Sequence, residues 1–479
     1  MQKKFLGNLF FIILLNVLIK PFYIFGIDVQ VQNIVGSASY GLYFSLLNFS
    51  LLFNMLLDVG ITNYNTKNTA QYPHTLTKYI GSFIGLKLIL SLLYIITTIA
   101  FALLVGYTGQ ALYLLSFFIF NQILVGFILY LRSNFAGLHF FKIDALLSVL
   151  DRLLLIIIVA ALIYGSITTK PFKIEWFVYA QTFAYAATLL VGLLLTWVKI
   201  GSFKLKVKTT FSIAILKKSM PFALLVILMM LYTRIDSVMI ERMLPNGKEQ
   251  AGIYAQGFRL LDAVNMFAFL VAGILLPVFS RLISEKQSVK PALQTAGKLL
   301  TGTAIIAGIC FELNSELIIS MIYQNNIESS SKVFSWLILS FIPLSLSHVF
   351  GTLLTAHHNL KMLNKMAVGG ILLNVTLNLT LIPTLKAEGA AIATLITQSF
   401  TALIQVLLVM RVFKFSIDWP TLIRLALFTL LYLFTTMHIH QNYAGIWGVF
   451  FSLALGIVFL FIFKLLDIKD FLSLLKSIN

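Results

Sequence analysis

The chain has 479 residues, of which 59% are hydrophobic, 14% aromatic and 11% charged, and its mean hydropathy is +0.95. Soluble domains carry about 25% charged residues, so this composition excludes an ordinary soluble fold and specifies an all-α polytopic membrane protein. The 28 Gly and 10 Pro exclude collagen-like and low-complexity chains, the single Cys310 excludes a disulfide scaffold, and a net charge of +18 is read as membrane topology rather than as a sign of nucleic-acid binding.

A helix needs about 20 mostly apolar residues to cross the hydrocarbon core, and about fourteen stretches qualify. The first, 5–28, follows Met1-Gln-Lys-Lys and resembles a secretory signal, but it lacks a small-x-small cleavage site and precedes many further spans, which predicts a retained helix. Pro21, after Lys20, removes a backbone donor and predicts a kink. Spans at 41–63, 79–105, 110–131, 145–165 and 175–198 complete a first set of six.

The segment 199–218, KIGSFKLKVKTTFSIAILKK, alternates basic and apolar residues, which suits either a stretch lying at an anionic headgroup surface or a solvated linker. A second set follows at 219–241, 253–279, 297–320, 333–356, 365–384 and 388–410, and then two more spans at 421–439 and 444–466. The stretch 297–320 also reads as a shorter span plus an interfacial helix carrying Glu312 and Glu316.

The predicted organisation is therefore a six-helix bundle at 1–198, a basic linker at 199–218, a second six-helix bundle at 219–411, and two additional helices with a tail at 412–479. A faint internal repeat supports two pseudo-symmetric bundles. GLYFSLLNF at 41–49 matches GIYAQGFRL at 252–260 with an offset of 211, which sets Gly41 and Tyr43 on Gly252 and Tyr254.

The loop charges test the span count independently of hydropathy. With both termini on one side, the segments of that side hold 24 Lys and Arg, and the opposite segments hold six: Lys170, Lys173, Arg242, Lys248, Lys332 and Lys386. Cytoplasmic loops carry the excess of cations, so both termini are predicted to be cytoplasmic.

The remaining five cations, 35 − 24 − 6, lie within spans: Lys20, Lys87, Arg152, Arg234 and Arg259. A charge at a helix centre costs at least about 2.5–3.5 kcal/mol, so such residues face a cavity, pair with an opposite charge, or snorkel. Lys20 and Arg234 fall at matched depth in the first helix of each half. Arg259 has Asp262 at i+3 on its own helix face, whereas Asp236 stands on the side of its helix opposite Arg234. Lys87, Arg152 with Asp151, and Asp58 lie nearer the cytoplasmic ends, within snorkelling reach. A cluster of cations in an apolar bundle matches an anionic substrate, because a phosphate stripped of water needs strong, charge-assisted donors. Asp58, Asp236 and Asp262 are the candidates for ion coupling or for orienting the cations, since buried carboxylates serve as proton carriers.

There is no phosphate-cradling G-x-x-x-x-G-K-[ST], so the chain carries no sign of ATP hydrolysis. His357-His358, and His438 with His440, lack the carboxylate or Cys company of a zinc site. No nucleophile or paired-carboxylate motif stands at a membrane interface, and neither a cofactor nor an enzymatic activity is expected.

In PFALLVILMMLYTRIDSVMIERMLPNGKEQAGIYAQGFRLLDA, Pro221 to Ala263, the R-I-D at 234–236 and the G-I-Y-A at 252–255 resemble the opening of the second half of the bacterial polysaccharide and O-antigen (Wzx-like) flippases. These belong to the multidrug/oligosaccharidyl-lipid/polysaccharide exporter superfamily. Pro277, which closes the eighth span, and NVTLNLTLIPTLKAEGAAIATLITQ, Asn374 to Gln398, carry the resemblance further, and it covers the whole chain in span number, halves and loop lengths.

The resemblance implies two six-helix bundles facing each other in a V, with two extra helices, working by alternating access in the bacterial inner membrane. The implied cargo is an oligosaccharide joined by pyrophosphate to a polyprenyl lipid, turned to the outer leaflet for surface polysaccharide, O-antigen or capsule assembly. A polysaccharide polymerase and glycosyltransferases are candidate partners beside the membrane lipids. Related lipid II flippases carry basic residues in helices 1, 2 and 8. Lys20 and Arg259 match the first and last, but the repeat sets Asn48 at the helix 2 position, which makes Arg234 the candidate substitute. Two other functions compete. A cation-coupled multidrug exporter of the same fold would be favoured by unpaired acidic residues in the amino-terminal half, for which Asp58 is the candidate, and a membrane polymerase or ligase would need a sizeable outer loop.

Overall fold

The computed structural model describes residues 19, 21–165, 170–201, 209–443 and 445–466. Most of the first predicted span, with Lys20, lies outside them, as do the linker residues 202–208 and the tail at 467–479. In lipid every backbone donor and acceptor must be satisfied within the chain, which leaves helices as the solution for apolar runs of this length.

A π-helical stretch at Tyr23–Asp28 leads into α1 (Val29–Leu52). Then come α2 (Ile61–Gln71), α3 (Leu76–Leu104), α4 (Gly109–Gly137), α5 (Phe141–Leu147), α6 (Leu150–Tyr164), α7 (Ile174–Ile200) and α8 (Thr209–Met243). The second half contains α9 (Gly247–Ser284), α10 (Lys290–Leu313), α11 (Ser315–Ile322), α12 (Ile327–Leu339), α13 (Phe341–Ala356) and α14 (Leu360–Phe413). It ends with α15 (Trp419–Asn442) and α16 (Ile446–Ile462). Among the described residues there is no strand, and the protein is an all-α, multi-pass membrane protein.

The spans predicted at 79–105, 110–131, 175–198, 253–279 and 421–439 each correspond to one continuous helix. Breaks within other spans have local causes. α1 bends at Gly36 (φ 78), which ends the first span, and the second helix stops at Leu52, short of the predicted 63. Val59 (φ 43) and Gly60 (φ 79) then turn the chain through left-handed conformations, and the segments Tyr23–Leu52 and Asn54–Gln71, on either side of Phe53, are bent by 50°. The span at 297–320 is divided between α10 and α11, with Glu312 on the longer helix and Glu316 on the shorter. α14 is 54 residues long but is interrupted at Lys386 (φ 55, ψ −131), shortly after Pro383, so it forms the two spans predicted at 365–384 and 388–410. By length and apolarity, ten described helices suffice to cross a membrane, or eleven with the bent pair, and α14 is counted once in both totals.

Two compact units divide the chain, Met1–Arg242 and Met243–Asn479, so α8 falls in the first. In that unit α4 packs against α7, α2 and α1, around a core that includes Ile61, Leu76, Ile80, Phe83 and Tyr130. In the second, α13 packs against α14 and α9, and α9 against α12.

The tyrosines matched at the repeat offset hold equivalent places. Tyr43 accepts a 2.7 Å hydrogen bond from Gln181 Nε2 on α7, the last helix of the first half. Tyr254 shares a 3.2 Å hydrogen bond with Thr394, beyond the Lys386 break in the last helix of the second half. Both tyrosines are 1% exposed, and a buried phenol needs such a partner.

The two additional helices dock on α10 through small residues. α15 and α16 both pack on α10, with Ile305, Ile306, Phe428, Tyr432 and Leu460 in a shared core. A Cβ at Gly456 would stand 2.8 Å from Ile306 and 2.9 Å from Tyr432, and one at Gly302 would stand 2.5 Å from Leu460. Helices in lipid associate through close backbone approach rather than through a hydrophobic drive. Gly456→Leu is therefore expected to destabilise the protein by about 1–3 kcal/mol through overpacking, read as a lower midpoint in thermal aggregation of the detergent-solubilised chain. An unchanged midpoint would show that α16 does not depend on this contact.

Candidate functional site

Arg234, Ser237 and Glu241 share one face of α8, at spacings of three and four residues. Arg234 is half-buried and the other two are buried. Opposite them, Ser45 and Asn48 share a face of α1 after its Gly36 bend. Asn48 Nδ2 donates to Ser237 Oγ at 2.9 Å, and Arg234 Nη1 makes a long contact, 3.5 Å, with Asn48 Oδ1. The repeat sets Asn48 opposite Arg259, so the second helix lacks the cation that the eighth one carries. The structure brings a guanidinium to that position from α8 instead.

The same face of α8 continues into a second polar group. Tyr107 Oη donates to Glu241 at 3.1 Å and lies 3.3 Å from Ser45 Oγ. Arg242 donates to the Val105 and Gly106 carbonyls at 2.9 Å and stacks over the Tyr107 ring at 4.8 Å. The loop between α3 and α4 is thus fastened to the end of α8. Asp236, the carboxylate singled out on α8, is 1% exposed.

Asp58 and Lys87 form one unit. Lys87 is 1% exposed, and its ammonium donates to Asp58 Oδ1 at 2.9 Å and to the Leu57 carbonyl at 3.0 Å. Asp58 also accepts from the Thr62 backbone N–H at 3.3 Å and from the Thr62 hydroxyl, which secures the start of α2. The pair therefore braces the break between α1 and α2.

Arg152 lies 3.8 Å from Asp151, donates to Tyr185 Oη at 3.1 Å, and stacks over the Tyr23 ring at 4.8 Å. Its guanidinium joins the π-helical stretch, α6 and α7. Arg259 and Asp262 are both half-buried on α9. Lys20 lies outside the described residues.

Two buried carboxylates were not singled out from the sequence. Asp28 is 1% exposed and accepts a 2.7 Å hydrogen bond from Tyr40, and Glu241 is 7% exposed beside Tyr107. Both stood at the edges of predicted spans, where a charge usually reaches water. In the second unit, Asn378 Nδ2 donates to Asn374 Oδ1 at 3.1 Å, and both residues are fully buried. Residues four apart on a helix share a face, which brings the two amides together. Among the described residues no group of three His, Cys, Asp or Glu lies close enough to hold a metal ion.

The family described as "Polysaccharide biosynthesis protein" matches residues 5–283, more than half of the chain. The chain belongs to the polysaccharide biosynthesis protein family. A second family, MatE, matches residues 221–380. Outside these families' own descriptions, the uncharacterized membrane protein YabM of Bacillus subtilis (strain 168) is 26% identical over 402 residues, covering 76% of this chain and 73% of that protein. A solved structure of the lipid II flippase MurJ, in an inward closed conformation, superposes with a TM-score of 0.71 at 15% identity over 96% of this chain and 97% of MurJ. An inward-facing multidrug resistance MATE family transporter of the MOP superfamily gives 0.62 at 15% identity over 82% of this chain and 93% of its own. At these identities the likeness establishes a shared fold, the one on which this polysaccharide family member is built.

Proposed function

We propose that the chain is a flippase, not an enzyme, and that it turns a polyprenyl-pyrophosphate-linked oligosaccharide from the cytoplasmic to the outer leaflet of the bacterial inner membrane by alternating access. The observation that carries this reading is Arg234, a cation inside an apolar bundle of a polysaccharide biosynthesis family member, set against Asn48 at the place where the other half carries Arg259. Lys20, Arg234 and Arg259 are proposed to hold the pyrophosphate. Asp262 is proposed to orient Arg259, and Asp236 to respond to the coupling ion. The cargo's use in O-antigen, capsule or exopolysaccharide assembly, and its hand-over to a polymerase, extend the same reading.

The test is reconstitution. Vesicles containing the full chain and a fluorescent polyprenyl-pyrophosphate oligosaccharide are expected to expose the sugar to a membrane-impermeant glycosidase. Failure of the sugar to cross, with efflux of a cationic dye instead, would overturn the reading in favour of a multidrug exporter. Asp28, buried in the amino-terminal unit, is the observation that favours that second reading.

We further propose that both termini are cytoplasmic. Cysteines introduced at Lys170 and Lys248 are expected to react with an external impermeant maleimide, and a cysteine in the carboxy-terminal tail to be protected. The native Cys310 is buried and gives little background. Protection of both outer sites would reverse the topology.

A further inference from the structure

A groove of about 460 Å³ lies in the second unit between the amino-terminal end of α10, α13, the carboxy-terminal end of α14 and the start of α15. Its walls are mostly apolar, with Leu403, Leu407 and Leu422 each about half-exposed along it. Along α10 the wall runs from Lys290 to Thr301. Eleven helical rises of 1.5 Å make about 16 Å, close to half of a hydrocarbon core of about 30 Å. The groove therefore has the length of one leaflet.

One wall carries a polar stripe. Lys290, Gln294 and Lys298 stand at i, i+4 and i+8 on one face of α10, and all three line the groove. The carboxylate in the groove, Asp418, is already engaged. Gln294 Nε2 and the Thr421 hydroxyl donate to its Oδ2 at 2.8 Å, and the Thr421 backbone N–H donates to its Oδ1 at 3.3 Å. The Thr421 hydrogen bond holds its carboxyl below the usual carboxylate range, with Lys298 and Lys290 adding to that effect. Neither lysine is within ion-pair distance of a carboxylate among the described residues. Lys290 and Lys298, both half-buried, thus flank an apolar groove beside a carboxylate that already accepts three hydrogen bonds.

We propose that the groove holds an acyl chain of an anionic phospholipid from the leaflet beside the cationic loops, with the headgroup phosphate on Lys290 and Lys298. Basic pockets between transmembrane helices select such headgroups, and Lys stems extend along apolar surface while the charge stays at headgroup level. Gly297 makes the proposal testable, because a side chain there would point into open space: a Cβ meets nothing within 4 Å.

The experiment is native mass spectrometry of the full chain released from micelles containing equal amounts of phosphatidylglycerol and phosphatidylcholine. The wild-type chain is expected to retain phosphatidylglycerol selectively, and Lys290→Gln or Lys298→Gln to reduce that selectivity by about fivefold each. Gly297→Phe is expected to remove the bound lipid, and Gly297→Ala to keep it. An unchanged selectivity in the double Lys→Gln variant would overturn the proposal, as would a lipid retained by a monodisperse Gly297→Phe chain. Should Gly297→Phe fail to fold, the lysine variants decide alone. Displacement of the phospholipid by an equal amount of undecaprenyl phosphate would assign the groove to the cargo's tail and also overturn the proposal. None of these outcomes depends on whether the chain flips oligosaccharide.

Discussion

Arg234→Ala is expected to lower flipping of the lipid-linked oligosaccharide by about ten- to hundredfold while the amount of folded protein in the membrane changes by less than about twofold. The size follows from the contact proposed: a hydrogen bond to a charged group is worth about 1.5–3 kcal/mol, and each 1.4 kcal/mol is about tenfold. Asn48, which Arg234 reaches at 3.5 Å, keeps its own 2.9 Å hydrogen bond to Ser237 when the guanidinium is removed. Arg234→Lys keeps the charge but loses the planar fork, so it separates simple charge attraction from bidentate phosphate binding. Asn48→Lys in the Arg234→Ala background places a cation on the second helix and is expected to recover part of the activity. Wild-type flipping in the Arg234→Ala variant would remove Arg234 from the substrate site. Reduced abundance with normal flipping per molecule would make it a structural residue.

The second large effect is expected at the brace between α1 and α2, and it falls on folding. Asp58→Ala would leave the ammonium of Lys87, 1% exposed, with the Leu57 carbonyl as its remaining neutral acceptor among the contacts described above. Breaking a buried pair from one side costs about 3–5 kcal/mol. The Asp58 side chain keeps 29% of its exposure, so the low end of that range, about 3 kcal/mol, is expected. Lys87→Met combined with Asp58→Asn should restore most of the loss, because a well-packed neutral pair replaces the ionic one without leaving a charge behind. Membrane abundance and thermal aggregation of the solubilised chain measure both. If the double variant were abundant and stable but did not transport, Asp58 would regain the coupling role that its position in the sequence had suggested.

Hydropathy located α3, α4, α7, α9 and α15 to within about six residues at each end because each is a long apolar run in a solvent that forces helices. It located the interruptions less well. The break after Leu52 is written in Asn54, Asp58 and Gly60, residues of modest helix propensity inside an otherwise apolar stretch, and a window of some 20 residues averages them away. Lys386 shows the opposite case, since the spans at 365–384 and 388–410 already leave it in the segment between them. The site was legible as a set of residues and not as a set of pairs. Lys87 and Asp58 are 29 residues apart, and Arg152 and Tyr185 are 33 apart. No spacing on one helix reports such contacts. Asn48 was the exception, because the internal repeat singled it out as a missing cation and the structure then brought Arg234 to it. Asp28 and Glu241 went unnoticed because a charge at a span boundary is ordinarily solvated, whereas here each is covered and meets a tyrosine.

The bond between Asp28 and Tyr40 bears on how the chain enters the membrane. The carboxylate precedes the Gly36 bend and the hydroxyl that satisfies it follows the bend, twelve residues later. A ribosome adding about 5–20 residues per second supplies that hydroxyl about 0.6–2.4 s after the carboxylate. During that interval the carboxylate lacks this donor, and a hydrogen bond to a charged group is worth about 1.5–3 kcal/mol. The Asp28–Tyr40 bond can therefore form only once the chain has been made past the Gly36 bend, and it then ties together the segments on either side of that bend.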